Sequence, residues 1–67
     1  MNEDWNKVYT STDFFKSELV RQHLIENGIE AVILNKQGYP YQIGYVEVYV
    51  KPDQFQQATD LIAESDV

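Results

Sequence analysis

The spacing of hydrophobic residues changes several times along this chain, and each change marks an element. Residues 5–10 set Trp5, Val8 and Tyr9 among polar neighbours, an aromatic and β-branched run that predicts a first strand. Thr10, Ser11, Thr12 and Asp13 follow, all with side-chain oxygens able to accept from the free N–H groups that open a helix. Nothing interrupts a helix over residues 13–27, and Gly28 stands where a residue of positive φ would end it. With successive residues about 100° apart, Phe14, Ser17, Val20, Leu24 and Ile25 fall on one arc of about 140°, which should face the core. Phe15 and Leu19 fall elsewhere, with His23 one turn further along the same line. That second stripe reads as a wide buried face, as helix-end packing, or as a ridge for a partner.

A short β-branched run over residues 29–34 predicts a second strand, and residues 35–40 carry turn chemistry with Gly38 and Pro40. The third strand is expected over about residues 42–50, where Tyr45, Val46, Glu47, Val48, Tyr49 and Val50 alternate most clearly. Pro52 suits the first turn of a closing helix, because its missing N–H costs nothing there. Phe55, Ala58, Thr59 and Ile62 follow at helical spacing, and residues 64–67 are expected to fray.

The order β-α-β-β-α restricts the topology. Two strands joined by a helix run parallel with a right-handed crossover, while the short second connection makes strand three antiparallel to strand two. The compact solution places strand three in the middle. We therefore expect an α+β, ferredoxin-like fold: a three-stranded antiparallel-type sheet of order 1-3-2, with two helices on one face. The whole of residues 1–67 forms one domain, ordered over about 5–63.

The other sheet face then has no cover. If Val46, Val48 and Val50 point to the helices, Tyr45, Glu47 and Tyr49 point away from them, because strand side chains alternate. With Val8 inward on strand one, Trp5, Lys7 and Tyr9 join that outer face, and Lys7 can pair with Glu47 across strands. Trp5, Lys7, Tyr9, Tyr45, Glu47 and Tyr49 are the candidate interaction face, an aromatic patch of the kind that marks binding sites. A second candidate is the loop over residues 35–41, where Tyr39 and Tyr41 could stack on a ring and Lys36 meet an anion.

Charge and composition narrow the functions. Five basic and eleven acidic residues give a net charge of −6, split about evenly on either side of Lys51. That sign disfavours nucleic acid and anionic membranes, and the five basic residues are expected to be scattered rather than gathered on the open face. An open sheet with aromatic residues on its middle strand is nevertheless the architecture of one class of RNA binder, kept as a remote alternative. With no cysteine there is no disulfide, and the single His23 cannot build a structural zinc site. Glycines 28, 38 and 44 match no phosphate-binding spacing, and no metal or cofactor is implied. The first four residues, Met1 to Asp4, lack the positive start and apolar stretch of a signal peptide, and no apolar run approaches membrane-spanning length. The expectation is a cytoplasmic, non-enzymatic regulatory or interaction module that self-associates, binds a protein partner, or both. The alternative is a small-ligand sensor at residues 35–41. A 67-residue chain is short enough for association to matter to its stability.

Several segments together resemble a known family. Trp5-Asn6-Lys7-Val8-Tyr9-Thr10, Ser17-Glu18-Leu19-Val20 leading to Leu24, Asn27-Gly28-Ile29-Glu30-Ala31 and Val46-Glu47-Val48-Tyr49-Val50 occur in the order found in a small bacterial family of putative signal-transducing proteins. This is a domain of unknown function grouped with GlnB-like folds, and the similarity runs over about residues 5–63. The resemblance implies a ferredoxin-like fold, a signalling role, a small residue at Ser17 for close helix–sheet packing, and no catalytic residue. GlnB proteins themselves are longer, with a long loop between strands two and three that helps hold nucleotide. Here that connection is only residues 35–41, and Lys36 is its one basic residue.

Overall fold

The computed structural model of the chain describes residues 4–38 and 44–65. Strand β1 (Asn6–Ser11), helix α1 (Phe14–Glu26), strand β2 (Ala31–Asn35), strand β3 (Val46–Val50) and helix α2 (Phe55–Ser65) follow in that order, with a 3-10 turn over Pro52–Gln54 leading into α2. The sheet has the order β1-β3-β2, antiparallel at both pairings, as the connections require. Among the described residues no helix is long and apolar enough to cross a membrane.

The ends of α1 show why it spans these residues. Of the four candidate caps, Asp13 serves: its Oδ1 accepts from the Lys16 N–H at 3.1 Å, and Ser11 Oγ accepts from the Asp13 N–H at 3.0 Å. At the other end Gly28 takes φ +83, letting its N–H reach the Ile25 carbonyl while the Ile29 N–H reaches back to Leu24, both at 3.0 Å. This is a Schellman closure, with Leu24 and Ile29 both buried beside it. Closing the helix uses Ile29, so β2 starts at Ala31 rather than at the expected residue 29. Gln54 then ties that turn to the start of α2, donating to the Gly28 carbonyl and accepting from the Glu30 N–H.

The core lies between the helices and the Val46, Val48, Val50 side of β3, all three of which are fully buried. Val20 and Leu24 of α1, Ala58 of α2 and Ala31 of β2 join them, with Leu61 and Ile62 packed at the margin. The helical arc divides more sharply than expected. Ser17, Val20 and Leu24 are buried, whereas Phe14 and Ile25 lie on the rim and stay exposed. The wide-buried-face reading of the second stripe fails, since Phe15 is 70% exposed and Leu19 is also exposed. Phe15 stands almost opposite the buried arc, where no sheet can reach it. Helix α2 continues through Ser65, past the expected start of fraying at residue 64.

Ser17 is a polar residue with no exposed surface, and its hydroxyl donates to the Asp13 carbonyl at 3.1 Å. Its smallness lets α1 approach the sheet. Ser17→Leu should therefore overpack that contact and cost about 1–3 kcal/mol, measured by urea unfolding. Ser17→Ala, which loses one hydrogen bond and adds no volume, should cost less, about 1 kcal/mol. Equal costs for the two would contradict the close-packing role.

Candidate interaction surface on the open sheet face

Both helices pack on one side of the sheet, and among the described residues the outer side of β3 is finished by side chains. Glu47 and Tyr49 point there, flanked in register by Thr10 and Lys7 of β1 and by Leu34 and Val32 of β2. Beyond the two ends of the ladder, Lys36 donates its N–H to the Tyr45 carbonyl at 2.9 Å, and Lys51 lies over the Trp5 ring at 4.5 Å from its centre. Lysine and aromatic residue thus stand side by side three times across neighbouring strands, Trp5 with Lys51, Tyr49 with Lys7 and Tyr45 with Lys36, with the ammonium group over the ring at Trp5. The close approach at the Tyr45 end explains Gly44. Its φ is +134, and a Cβ there would stand 2.7 Å from the Lys36 carbonyl oxygen.

Glu47 organises the middle of this face. Its carboxylate accepts from the Tyr49 hydroxyl at 2.7 Å, and the Lys36 and Lys7 ammonium groups lie 3.2 and 3.5 Å from its two oxygens. Though it points to the uncovered side, Glu47 is only 6% exposed, because these three side chains close over it. The Tyr49 hydrogen bond is the main reason its carboxyl is held below the usual carboxylate range. Loss of surrounding water works the other way, and Lys36 and then Lys7 add to the lowering. The same hydrogen bond holds the Tyr49 phenol above its usual value, since ionising it would leave two anions in contact. Both lysines remain about half exposed, so each keeps donors that face solvent.

The six residues expected on this face are not all there. Trp5, Lys7, Tyr45, Glu47 and Tyr49 are. Tyr9 is not: a β-bulge between Lys7 and Tyr9 shifts the register, pairs Tyr9 with Val48 and turns its ring against the core beside Val8. The bulge also explains why both Val8 and Tyr9 look like core residues. Two residues not named for it also belong to the face, namely Lys36, expected in the ligand loop, and Lys51. The expected scatter of basic residues is corrected with them. Three of the five, Lys7, Lys36 and Lys51, lie on this face, where Lys7 and Lys36 share the Glu47 carboxylate. Alternation of Lys51 with Tyr49 was the signal available in the sequence; Lys36 had none, because a turn has no strand parity.

The second candidate site is only partly described. Lys36 is engaged with Glu47, while Tyr39 and Tyr41 lie outside the described residues. Among the described residues no pocket opens, and no group of three or more His, Cys, Asp or Glu side chains is placed to hold a metal ion. His23 is half-buried on α1.

The depressed Glu47 pKa fixes a direction for acid stability. A carboxylate whose folded pKa lies below its unfolded value of about 4.3 stabilises the fold above that value. The contribution is lost as pH falls through the folded pKa. The melting temperature of the wild type should therefore exceed that of Glu47→Gln at pH 7, and the gap should narrow on acidification from about pH 5 to pH 3. A gap that stays constant in thermal melts over that range would remove the electrostatic role given to Glu47.

The comparisons with known proteins identify the chain at the level of family. A family model described as putative prokaryotic signal transducing protein matches residues 5–66. No curated protein and no solved structure matches the chain.

Proposed function

The chain belongs to this prokaryotic signal transducing family, and from that premise we propose that it is a non-enzymatic regulatory module that works by binding, with the outer sheet face as its contact surface and with copies of the chain associating through it. The observation that carries the reading is the state of that face. No layer of the described residues covers it, yet Tyr49, Lys7 and Lys36 are already fixed on Glu47, and Trp5 is held by Lys51. Side chains held in place before contact lose less freedom when a partner arrives. Tyr45, 58% exposed, and Leu34 supply apolar surface next to them. A three-stranded sheet covered on one side is also a thin construction, and covering its second side would bury apolar area that a chain of this length otherwise leaves in water.

Light scattering across a dilution series should give a mass that is a multiple of the 7.8 kDa chain and falls on dilution. Tyr45→Glu, chosen because Tyr45 is exposed and is not bonded to Glu47, should raise the apparent dissociation constant roughly tenfold without unfolding the domain. A mass of one chain at every concentration would leave the self-association without support, and an oligomer indifferent to Tyr45→Glu would move the contact to another surface.

A further inference from the structure

The charges of the protein are segregated by layer, which bears on how two copies can meet. The outer sheet face holds Lys7, Lys36 and Lys51 against Glu47, an excess of two positive charges. Elsewhere among the described residues that follow β1, Lys16 and Arg21 stand against Asp13, Glu18, Glu26, Glu30, Asp53, Asp60 and Glu64, an excess of five negative charges. On α1 Lys16 and Arg21 offset Glu18 and Glu26, so the net negative charge of the helical layer comes from the 3-10 turn and α2. Glu26 in the last turn of α1, Asp53 in the 3-10 turn, and Asp60 and Glu64 on α2 are all exposed. By helical spacing Glu26, Asp60 and Glu64 turn away from the buried residues of their helices, and so away from the sheet.

The same outward side of α1 carries the stripe that the core does not use. Phe15 and Leu19 are exposed there, one helical turn apart. A helix with apolar residues on two sides is suited to lie between two layers, and the described residues supply only one. One surface is therefore cationic with aromatic residues, and the opposite one is acidic with an apolar ridge. Two copies placed sheet to sheet would bring lysine clusters of the same sign together.

We propose that the chain associates head to tail, the outer sheet face of one copy receiving the outward side of α1 and α2 of the next. This rests on the proposed self-association through the sheet face and specifies its other half. Lys36 and Lys51 of one copy meet acidic residues such as Asp60 and Glu64 of its neighbour, while Phe15 and Leu19 cover Tyr45 and Leu34. The contact is heterologous, so the assembly closes as a ring when the rotation between neighbours permits and otherwise extends. The broad faces of the molecule, about 35 by 28 Å, can supply the roughly 800 Å² per partner that a stable contact takes.

Two charge-reversed variants test this. One carries Lys36→Glu and Lys51→Glu on the sheet, leaving Lys7 to neutralise Glu47. The other carries Glu26→Lys, Asp60→Lys and Glu64→Lys, all at exposed helical positions. Circular dichroism establishes that each is folded, and light scattering reads the mass. Each variant alone should be monomeric at concentrations where the wild type associates, and an equimolar mixture should recover an assembly that holds the two variants in equal number. The wild-type oligomer should also dissociate as salt is raised, which needs no variant. If the helix-reversed variant keeps the wild-type mass, copies meet sheet to sheet and the head-to-tail arrangement is overturned while association through the sheet face stands. If the sheet-reversed variant keeps that mass, the sheet face is not the contact and both fall. A wild-type chain that is monomeric throughout overturns both as well.

Discussion

A sheet covered by helices on one side must finish its other side with side chains, and in this protein that task falls on the middle strand. β3 is bonded on both edges, so its inner residues are fully buried and its outer residues sit at the centre of an uncovered surface. Glu47 at that centre sets the rest. One carboxylate with four lone-pair directions draws in a phenol from its own strand and an ammonium group from beyond each neighbouring edge. Tyr49, Lys7 and Lys36 are thereby held close to the sheet, and the carboxylate itself is nearly removed from solvent. The net of these contacts is a cationic surface built around an anion.

That arrangement also explains how a chain of net charge −6 can present a positive face. Coulomb attraction between exposed ions is weak, so lysine alone would not hold position on an open sheet. The phenol hydrogen bond and the cross-strand placement do the ordering, and the ammonium groups follow. Tyr49 matters here as a hydrogen-bond donor more than as apolar area, which is why its ring is less available to a partner than that of Tyr45. The acidic helical layer is the complement, made of residues that need only be on the outward side of a helix.

Much of this was legible in the chain itself. The element order, the central position of β3 and the inward set Val46, Val48 and Val50 follow from alternation and connection length. Five of the six residues assigned to the open face are on it for the same reason. Tyr9 is the exception, because a bulge reverses the parity of everything after it and no residue in residues 5–10 marks one. Phe14 and Ile25 were misplaced by a different cause. An arc computed from apolar residues assumes that all of them are buried, and the buried set is narrower because Ser17 brings the helix close along one line. Lys36 escaped because parity has no meaning in a turn, and its contact with Glu47 depends on the close approach at Gly44. The family resemblance implied the fold and carried a signalling description but no site residue, and the outer surface follows from the sheet geometry instead.

The central claim is that the outer sheet face is where this protein is contacted. Its most direct test is a set of amide and indole spectra of isotope-labelled protein recorded from high to low concentration. The account predicts concentration-dependent shifts at the Trp5 indole and at Lys7, Tyr45 and Tyr49, with a second group on the outward side of α1 and α2, around Phe15 and Asp60. Core positions such as Val48 should stay fixed. Shifts confined to the free edges of β1 and β2, or spectra that do not change with concentration, would contradict it.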